Sequence, residues 1–282
     1  KRIAIISSLA LSTHSYAANL LSIYQQALDN NTSFKQAQAT WDQAKATTLI
    51  AYAGILPSIN LTAGYSKTKI TGNWPKAGSG SNSSTTSYGV SLAQPIFSWS
   101  AWSTLSSAKA GAKAAVALYL AAAQDLMSRT ANAYFDVLAA NAALRWNTAN
   151  TNQLKRELEQ AQQQYQVGLK PITNVYQAKA KYEQMRAATI AQRNTLNNNL
   201  ELLSVITNHH YRRLADLGKT LPLSNPSPNN ANSWLRKAQA NNFSIQAARY
   251  ATLADEHDIS AASAERWPTA GLTASYTHSR PG

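Results

Sequence analysis

The chain has 282 residues, 26 Lys and Arg against 13 Asp and Glu (formal net charge +13), five His and no Cys. The length is enough for one large domain or two ordinary ones with a sizeable core, and the lack of cysteine excludes disulfide scaffolds, thiolate metal sites, iron–sulfur clusters and cysteine nucleophiles. Apolar residues make up 44% and charged residues 14%; the basic residues are scattered singly, with no run longer than Arg212-Arg213, so the charge reads as solvated surface and no nucleic-acid partner is expected.

Lys1-Arg2, the apolar run Ile3 to Leu11 and the small residues Ser15 and Ala17 have the order of a secretory signal, with cleavage expected after Ala17 or Ala18. No later stretch approaches the ~20 apolar residues of a membrane helix, so any span of a membrane falls to strands. A shift of 211 residues superposes Ser22–Ser66 on Ser233–Thr277 without a gap. The matches include Asn30/Asn241, Asn31/Asn242, Pro57/Pro268, Leu61/Leu272, Thr62/Thr273, Ala63/Ala274 and Tyr65/Tyr276. The expected organisation is a signal at residues 1–17, a first structural repeat over 18–231 and the opening of a second over 232–282. On this reading the chain is a fragment of a longer two-repeat protein.

Within the repeat, residues 20–54 read as one helix, with Leu20, Ile23, Tyr24, Ala27 and Leu28 and then Phe34, Ala37, Trp41 and Ala44 at helical spacing. Pro57 ends it, because the residue before a proline is pushed out of the α region. Ile59, Leu61, Ala63 and Tyr65 then alternate with Asn60, Thr62, Gly64 and Ser66, the period of a strand with one apolar face. Gly72 to Ser84 reads as a loop, and a second strand follows through Tyr88, Val90 and Leu92 to Pro95-Ile96-Phe97. Strands of this length suit the ~9–11 residues of a tilted membrane strand. Tyr65, Tyr88, Phe97, Trp99 and Trp102 gather at the strand ends, where an aromatic girdle would lie. A soluble hairpin packed on helices has the same periodicity.

From Ala101 to Val167 there is no proline and one glycine, Gly111. A helix of that span would be about 100 Å long, which requires an elongated bundle or coiled coil. Its apolar positions, among them Leu105, Ala108, Ala112, Ala115, Leu118, Ala122, Leu126, Ala133, Val137, Ala140 and Leu144, are mostly spaced by three and four. Gly168 and Pro171 break it, and a second helix runs from Ile172 to about Ile206, so the break reads as the tip of a long helical hairpin.

The tip, Tyr165-Gln166-Val167-Gly168-Leu169-Lys170-Pro171-Ile172-Thr173-Asn174-Val175, resembles the periplasmic tip of TolC-type outer-membrane efflux channels. Three further blocks resemble the same family in the same order. They are Tyr88 to Phe97, Thr130 to Leu138, and Leu203 to Tyr211 continuing through Leu214 to Leu217. Leu56-Pro57 before the first strand also fits. The resemblance implies a mainly α fold with membrane β: a helical-hairpin tunnel, and strands contributed to a barrel shared by a homotrimer. It implies an outer-membrane location with the helices in the periplasm, and a passive conduit for efflux or type I secretion. The implied partners are a periplasmic adaptor, an inner-membrane pump and outer-membrane lipid. Four strands per protomer would form a twelve-stranded barrel; four alone cannot close, and an unclosed barrel leaves backbone groups unsatisfied in lipid.

The resemblance further implies an adaptor-binding tip at Val167, Gly168, Leu169, Thr173, Asn174 and Val175. Gly168 alone is equally a helix C-cap glycine. Asn174 departs from the family's acidic residue, so a latch between neighbouring helices at this point is expected to be weaker. His209-His210 lacks a nearby Cys or acidic partner for a metal, and Asp255-Glu256-His257-Asp258 reads as a solvated helix face. No phosphate loop, nucleophile elbow or catalytic carboxylate pair is present; no enzyme activity, metal or cofactor is expected. The alternatives are a helical-hairpin scaffold or adaptor whose strands form a soluble cap, and an inactive fragment of the channel.

Overall fold

A computed structural model describes residues 18–69, 82–217 and 225–281. The expected signal at residues 1–17 and most of the expected loop lie outside the described residues. The elements are α1 (Leu20–Asn30), α2 (Thr32–Ala53), β1 (Ser58–Lys69), β2 (Asn82–Phe97), α3 (Trp99–Gln166), α4 (Ile172–Thr207), α5 (Ala231–Asn241), α6 (Phe243–Ser263) and β3 (Ala270–Pro281). The chain divides into two units, one comprising Lys1–Lys35 and Ala122–Asn229, the other Gln36–Ala121 and Asn230–Gly282.

The helix expected over 20–54 is two helices, broken at Asn31. Its backbone is extended (φ −67°, ψ 121°), and its N–H closes α1 on the Ala27 carbonyl at 2.8 Å. The Asn31 Oδ1 accepts from the Phe34 N–H at 3.1 Å and so caps α2, while its Nδ2 donates to the Ile206 carbonyl at 3.1 Å. One asparagine thus ends one helix and starts the next, which hydrophobic spacing does not reveal. The second copy repeats the device. Asn242 (φ −71°, ψ 121°) donates its N–H to the Ala238 carbonyl at 2.8 Å and accepts from Ile245 at 3.1 Å. Asn30 and Asn241 both return their side-chain amides to the carbonyl four residues earlier, Gln26 and Lys237, at 3.0 and 2.9 Å. The Asn-Asn pair that marks the sequence repeat is therefore a pair of helix caps.

In the first unit the core joins Ile23 of α1, Tyr134, Val137 and Leu138 of α3, Leu203 of α4, and Tyr211 and Leu214 of the segment after α4. That segment is tied in by an isolated parallel bridge between Ala18 and Leu214 and by the Ala215 N–H donating to the Ala18 carbonyl at 3.0 Å. Tyr134 Oη donates to the Ala215 carbonyl at 2.7 Å, and Tyr211 Oη donates to Gln26 Oε1. Burial pushes both phenols above the ordinary tyrosine range; the Asp216 carboxylate adds to the effect on Tyr134, and a Thr207 hydrogen bond partly offsets it on Tyr211.

From Asn141 to Leu202 no residue is fully buried. Here α3 and α4 run antiparallel and touch along one seam, where the less exposed residues are Leu144, Asn147, Thr151, Leu154, Leu158 and Ala161 against Val175, Ala178, Tyr182, Met185, Thr189, Gln192 and Leu196. The spacing alternates three and four, the 3.5-residue period of a left-handed coiled coil. Polar bonds close the seam: Thr151 and Thr189 hydroxyls at 2.8 Å, Gln192 Nε2 to the Ala140 carbonyl at 3.3 Å and Asn199 Nδ2 to the Asp136 carbonyl at 3.1 Å. Such a hairpin buries little of its own surface, and most of both helices is left for neighbours.

In the second unit α2 packs antiparallel on the first part of α3. Trp41 stacks on Tyr119 with centroids 5.1 Å apart, Thr48 Oγ1 donates to the Ala108 carbonyl at 3.2 Å, and Lys109 Nζ lies 4.9 Å from the Tyr52 ring. On α6, Tyr250 receives Lys113 at 5.7 Å. The buried alanines of α3, Ala110, Ala114, Ala115 and Ala117, permit this approach, whereas Leu118, expected in the seam, is 53% exposed. The strands form one antiparallel sheet in the order β1-β2-β3. Among the described residues, no helix is long and apolar enough to cross a membrane.

Candidate functional site

The sheet is where period-2 patterning becomes chemistry. Cross-strand partners share a face, and the register sets Ile59 beside Leu92 and Ala274, Leu61 beside Val90 and Tyr276, Ala63 beside Tyr88 and His278, and Tyr65 beside Thr86 and Arg280. One face is thus apolar and aromatic from the Ile59 row to the Tyr88 row, where His278 joins it, and ends in a row of Tyr65, Thr86 and Arg280. The other carries Asn60, Thr62, Gly64, Ser66, Thr85, Ser87, Gly89, Ser91, Thr273, Ser275, Thr277 and Ser279, small and almost all polar. Gly89 lets its neighbours close in at the centre: a Cβ there would sit 3.0 Å from Thr62 Oγ1 and 3.2 Å from Thr277 Oγ1 and the Tyr276 carbonyl, so any side chain would push them back by a few tenths of an ångström. Leu61 is 78% exposed and Ile59 69%, so no part of the described chain covers the apolar face. An exposed apolar face of this extent marks a surface made for lipid or for a partner.

Pro95, which cannot donate to the ladder, sits where the β2–β3 register shifts between Pro95 and Phe97. Gln94 braces this end by donating to the Ile55 carbonyl at 3.2 Å and the Pro95 carbonyl at 2.7 Å. The five expected interface aromatics fall into two groups. Tyr65 and Tyr88 lie within the strands toward the end joined by residues 70–81, whereas Phe97 ends β2 and Trp99 and Trp102 occupy the first turn of α3. All five are exposed, as are Tyr276 and Trp267, which the repeat adds to the two groups. Tyr276 was legible from its match to Tyr65.

At the hairpin tip, Gly168 adopts φ +74°. Its N–H donates to the Tyr165 carbonyl at 3.0 Å and the Leu169 N–H to the Gln164 carbonyl at 2.8 Å, the paired bonds of a Schellman cap. Pro171 (φ −71°, ψ 156°) then starts α4 without a side-chain cap. The turn leaves Val167 68% and Leu169 75% exposed, with Thr173 exposed beside them. Val175 is half-buried, and Asn174, also half-buried, lines a polar groove with Glu157, Gln160, Gln164, Lys170 and Lys181. The six tip residues therefore divide into four exposed ones, Val167, Gly168, Leu169 and Thr173, and a half-buried pair, Asn174 and Val175.

A polar cleft of about 720 Å³ lies in the first unit among Asn19, Gln26, His209, Tyr211, Arg212 and Asp216. His209 stacks edge-on against Tyr211 at 5.0 Å, and His210 Nδ1 is 3.1 Å from Ser204 Oγ. Among the described residues no group of His, Cys, Asp and Glu has the geometry to hold a metal. The Asp255–Asp258 segment is a largely exposed stretch of α6.

The solved outer membrane channel CmeC of Campylobacter jejuni has this fold: TM-score 0.79 at 20% identity, over 93% of this chain and 61% of that one. Among curated proteins, the chain is 32% identical over 268 residues to outer membrane protein TolC of Vibrio cholerae serotype O1, covering 95% of this chain and 60% of that one. To outer membrane protein TolC of Escherichia coli strain K12 it is 34% identical over 271 residues, covering 96% and 54%. The chain thus spans between 54% and 60% of the length of these two relatives. The model of the family described as outer membrane efflux protein matches residues 23–209, which include α2, both strands of the first hairpin, and the long α3–α4 hairpin with its glycine tip. On that match and those identities, the chain belongs to the outer membrane efflux protein family.

Proposed function

We propose that the chain is a protomer of an outer-membrane channel, a passive conduit through which a tripartite efflux or type I secretion system exports its substrates. The observation that carries this reading is the sheet with one lipid-compatible face and one small polar face. In lipid, every backbone group must be paired within the protein, so a spanning sheet has to close. The smallest closed membrane barrels have eight strands, and the described chain supplies three. Closure therefore draws on further strands and further copies, and a homotrimer is the assembly that the family resemblance implies. The outward face would then be the apolar one, and the lumen would be lined by Ser, Thr and Gly, which offer hydrogen bonds without charge or bulk.

The dimensions agree with a membrane. From Tyr88 to Phe97 is about 30 Å along the strand, or about 23 Å along the normal at a ~40° tilt, against an apolar band of ≈25 Å between aromatic girdles. The part of the α3–α4 hairpin from Asn141 to Leu202, where no residue is fully buried, fits a periplasmic tunnel built from neighbouring hairpins. Its exposed Val167-Gly168-Leu169 tip is the surface proposed to receive a periplasmic adaptor and, through it, an inner-membrane pump. None of these roles needs bond chemistry. The test is fractionation of cells expressing the chain, together with gel migration before and after boiling. Recovery in the outer-membrane fraction with a heat-modifiable, oligomeric band supports the reading. A chain that stays soluble and monomeric without detergent overturns it and favours a periplasmic scaffold.

A further inference from the structure

The strands and the chain between them, Ser58–Phe97 and Ala270–Pro281, contain no Asp or Glu; their only Lys and Arg are Lys67, Lys69, Lys76 and Arg280. Lys76 lies outside the described residues. The other three all sit at the end joined by residues 70–81, and all three point to one face. Lys67 pairs with Ser84 and Lys69 with Asn82, while Arg280 shares the row of Thr86 and Tyr65. That parity is the parity of Ile59, Leu61, Tyr88, Val90 and Tyr276, so the cations prolong the apolar face. The polar face at the same level carries Ser66, Thr68, Ser83, Thr85, Ser279 and Pro281, none of them charged.

Charges kept at strand ends merely for solubility would fall on both faces. Here they are confined to the face proposed to meet lipid, Arg280 in the row of Tyr65 and Lys67 and Lys69 directly beyond it. Neighbouring strands lie ~4.8 Å apart and same-face residues ~6.7 Å apart along a strand. The three side chains therefore fall within about 10 Å across and about 13 Å along the sheet, an area comparable to one or two lipid headgroups. All three are exposed, and none has a carboxylate within ion-pair distance among the described residues. Long Lys and Arg side chains rooted at the edge of an apolar band extend along it and place their charge in the headgroup layer.

We propose that Lys67, Lys69 and Arg280 form an outward-facing cationic site that binds phosphate-bearing lipid headgroups in the leaflet at the 70–81 end of the sheet. The inference rests on the membrane reading given above. Lys67 and Lys69 grip from one strand, and Arg280, two strands away, offers a planar fork suited to a phosphate. His278, in the row of Tyr88 with ring centroids 5.0 Å apart, extends the same surface inward.

The test uses the full chain, reconstituted first into phosphatidylcholine vesicles and then into vesicles with equal phosphatidylcholine and phosphatidylglycerol. After detergent extraction, the ratio of the two lipids retained on the protein is read by native mass spectrometry. Lys67→Gln, Lys69→Gln and Arg280→Gln are compared singly and together with a charge-matched control, Lys179→Gln, Arg193→Gln and Arg249→Gln on the exposed helix surfaces. The wild-type chain retains phosphatidylglycerol preferentially, each single variant loses up to about fivefold of that preference, the triple variant loses it altogether and the control keeps it. A chain that resists alkaline extraction from pure phosphatidylcholine vesicles yet shows no preference overturns the headgroup site alone, as does a control that loses as much as the triple variant. A chain that is stripped from every vesicle overturns the membrane reading, and the site falls with it.

Discussion

Gly168 offers a way to separate two roles that share one geometry, capping a helix and receiving a partner. At φ +74° an L side chain is strained, but a Cβ built there meets nothing within 4 Å. The cost of a substitution is therefore backbone strain alone, without a steric term. For Gly168→Ala that is about 1–2 kcal/mol, and for Gly168→Asn well under 1 kcal/mol, since asparagine visits the left-handed region readily. A β-branched residue is worse, so Gly168→Val should exceed the alanine cost. The strain falls on the bonds that the turn makes, Leu169 N–H to the Gln164 carbonyl and Gly168 N–H to the Tyr165 carbonyl. Each 1.4 kcal/mol is tenfold in the local opening equilibrium. Amide hydrogen exchange at Leu169 and Lys170 should thus rank Gly and Asn slowest, Ala about tenfold faster, and Val faster again. Crosslinking to an adaptor should follow a different order: Asn, which preserves the cap but fills the open space, should lose crosslinking while the oligomer persists. Equal exchange in all four proteins would refute the strain argument, and normal crosslinking of Gly168→Asn would refute the docking role.

Asn31→Ala removes a cap and also the bond to the Ile206 carbonyl in a buried setting, so it should lower stability by about 2–3 kcal/mol, against about 1 kcal/mol for Asn242→Ala at an exposed cap; urea titration of the two variants measures the difference. Leu203→Ala opens a cavity beneath Ile23, Tyr134 and Val137 and should cost about 2–5 kcal/mol in the same titration. Tyr134 and Tyr211 have folded pKa values raised above 10, so their contribution is full below the unfolded pKa of ~10 and is lost as pH rises through the higher folded values. A stability profile should accordingly be flat through neutral pH and fall in that alkaline window, and Tyr134→Phe with Tyr211→Phe should flatten the fall. Asn174→Asp places a carboxylate in the first turn of α4, which has no acidic residue; it should slow amide exchange there severalfold and reduce leak conductance of the assembled channel in planar bilayers.

Much of this was legible because the signals were local. The strand period, the proline before β1, and the glycine and proline at the hairpin tip each follow from the stereochemistry of one or two residues, and each stands within a residue or two of its expected place. Asn31 was missed because a side chain that caps in both directions leaves the apolar spacing of α1 and α2 continuous. The repeated Asn242 was the available clue. Leu118 was placed in the seam by spacing alone, but spacing does not say which partner is opposite. The division of the aromatics into two groups, and the confinement of Lys67, Lys69 and Arg280 to one face, depend on cross-strand register, which a single strand's pattern does not contain. Val175, expected on the docking surface, is half-buried at the start of the 3.5-residue spacing of α4, a degree of cover that the tip motif by itself does not specify.

The chain contains no cysteine, so single cysteines introduced along β2 report without background. The most direct measurement is their reaction with a water-soluble, membrane-impermeant maleimide in intact outer membranes, with contact to a lipid-borne spin label recorded in parallel. Cysteines at Thr85, Ser87 and Ser91 should react, whereas those at Tyr88, Val90 and Leu92 should be silent to the reagent and broadened by the lipid probe. Uniform reactivity along the strand, or an alternation of the opposite phase, would contradict the assignment of the apolar face to lipid and the small polar face to a water-filled passage.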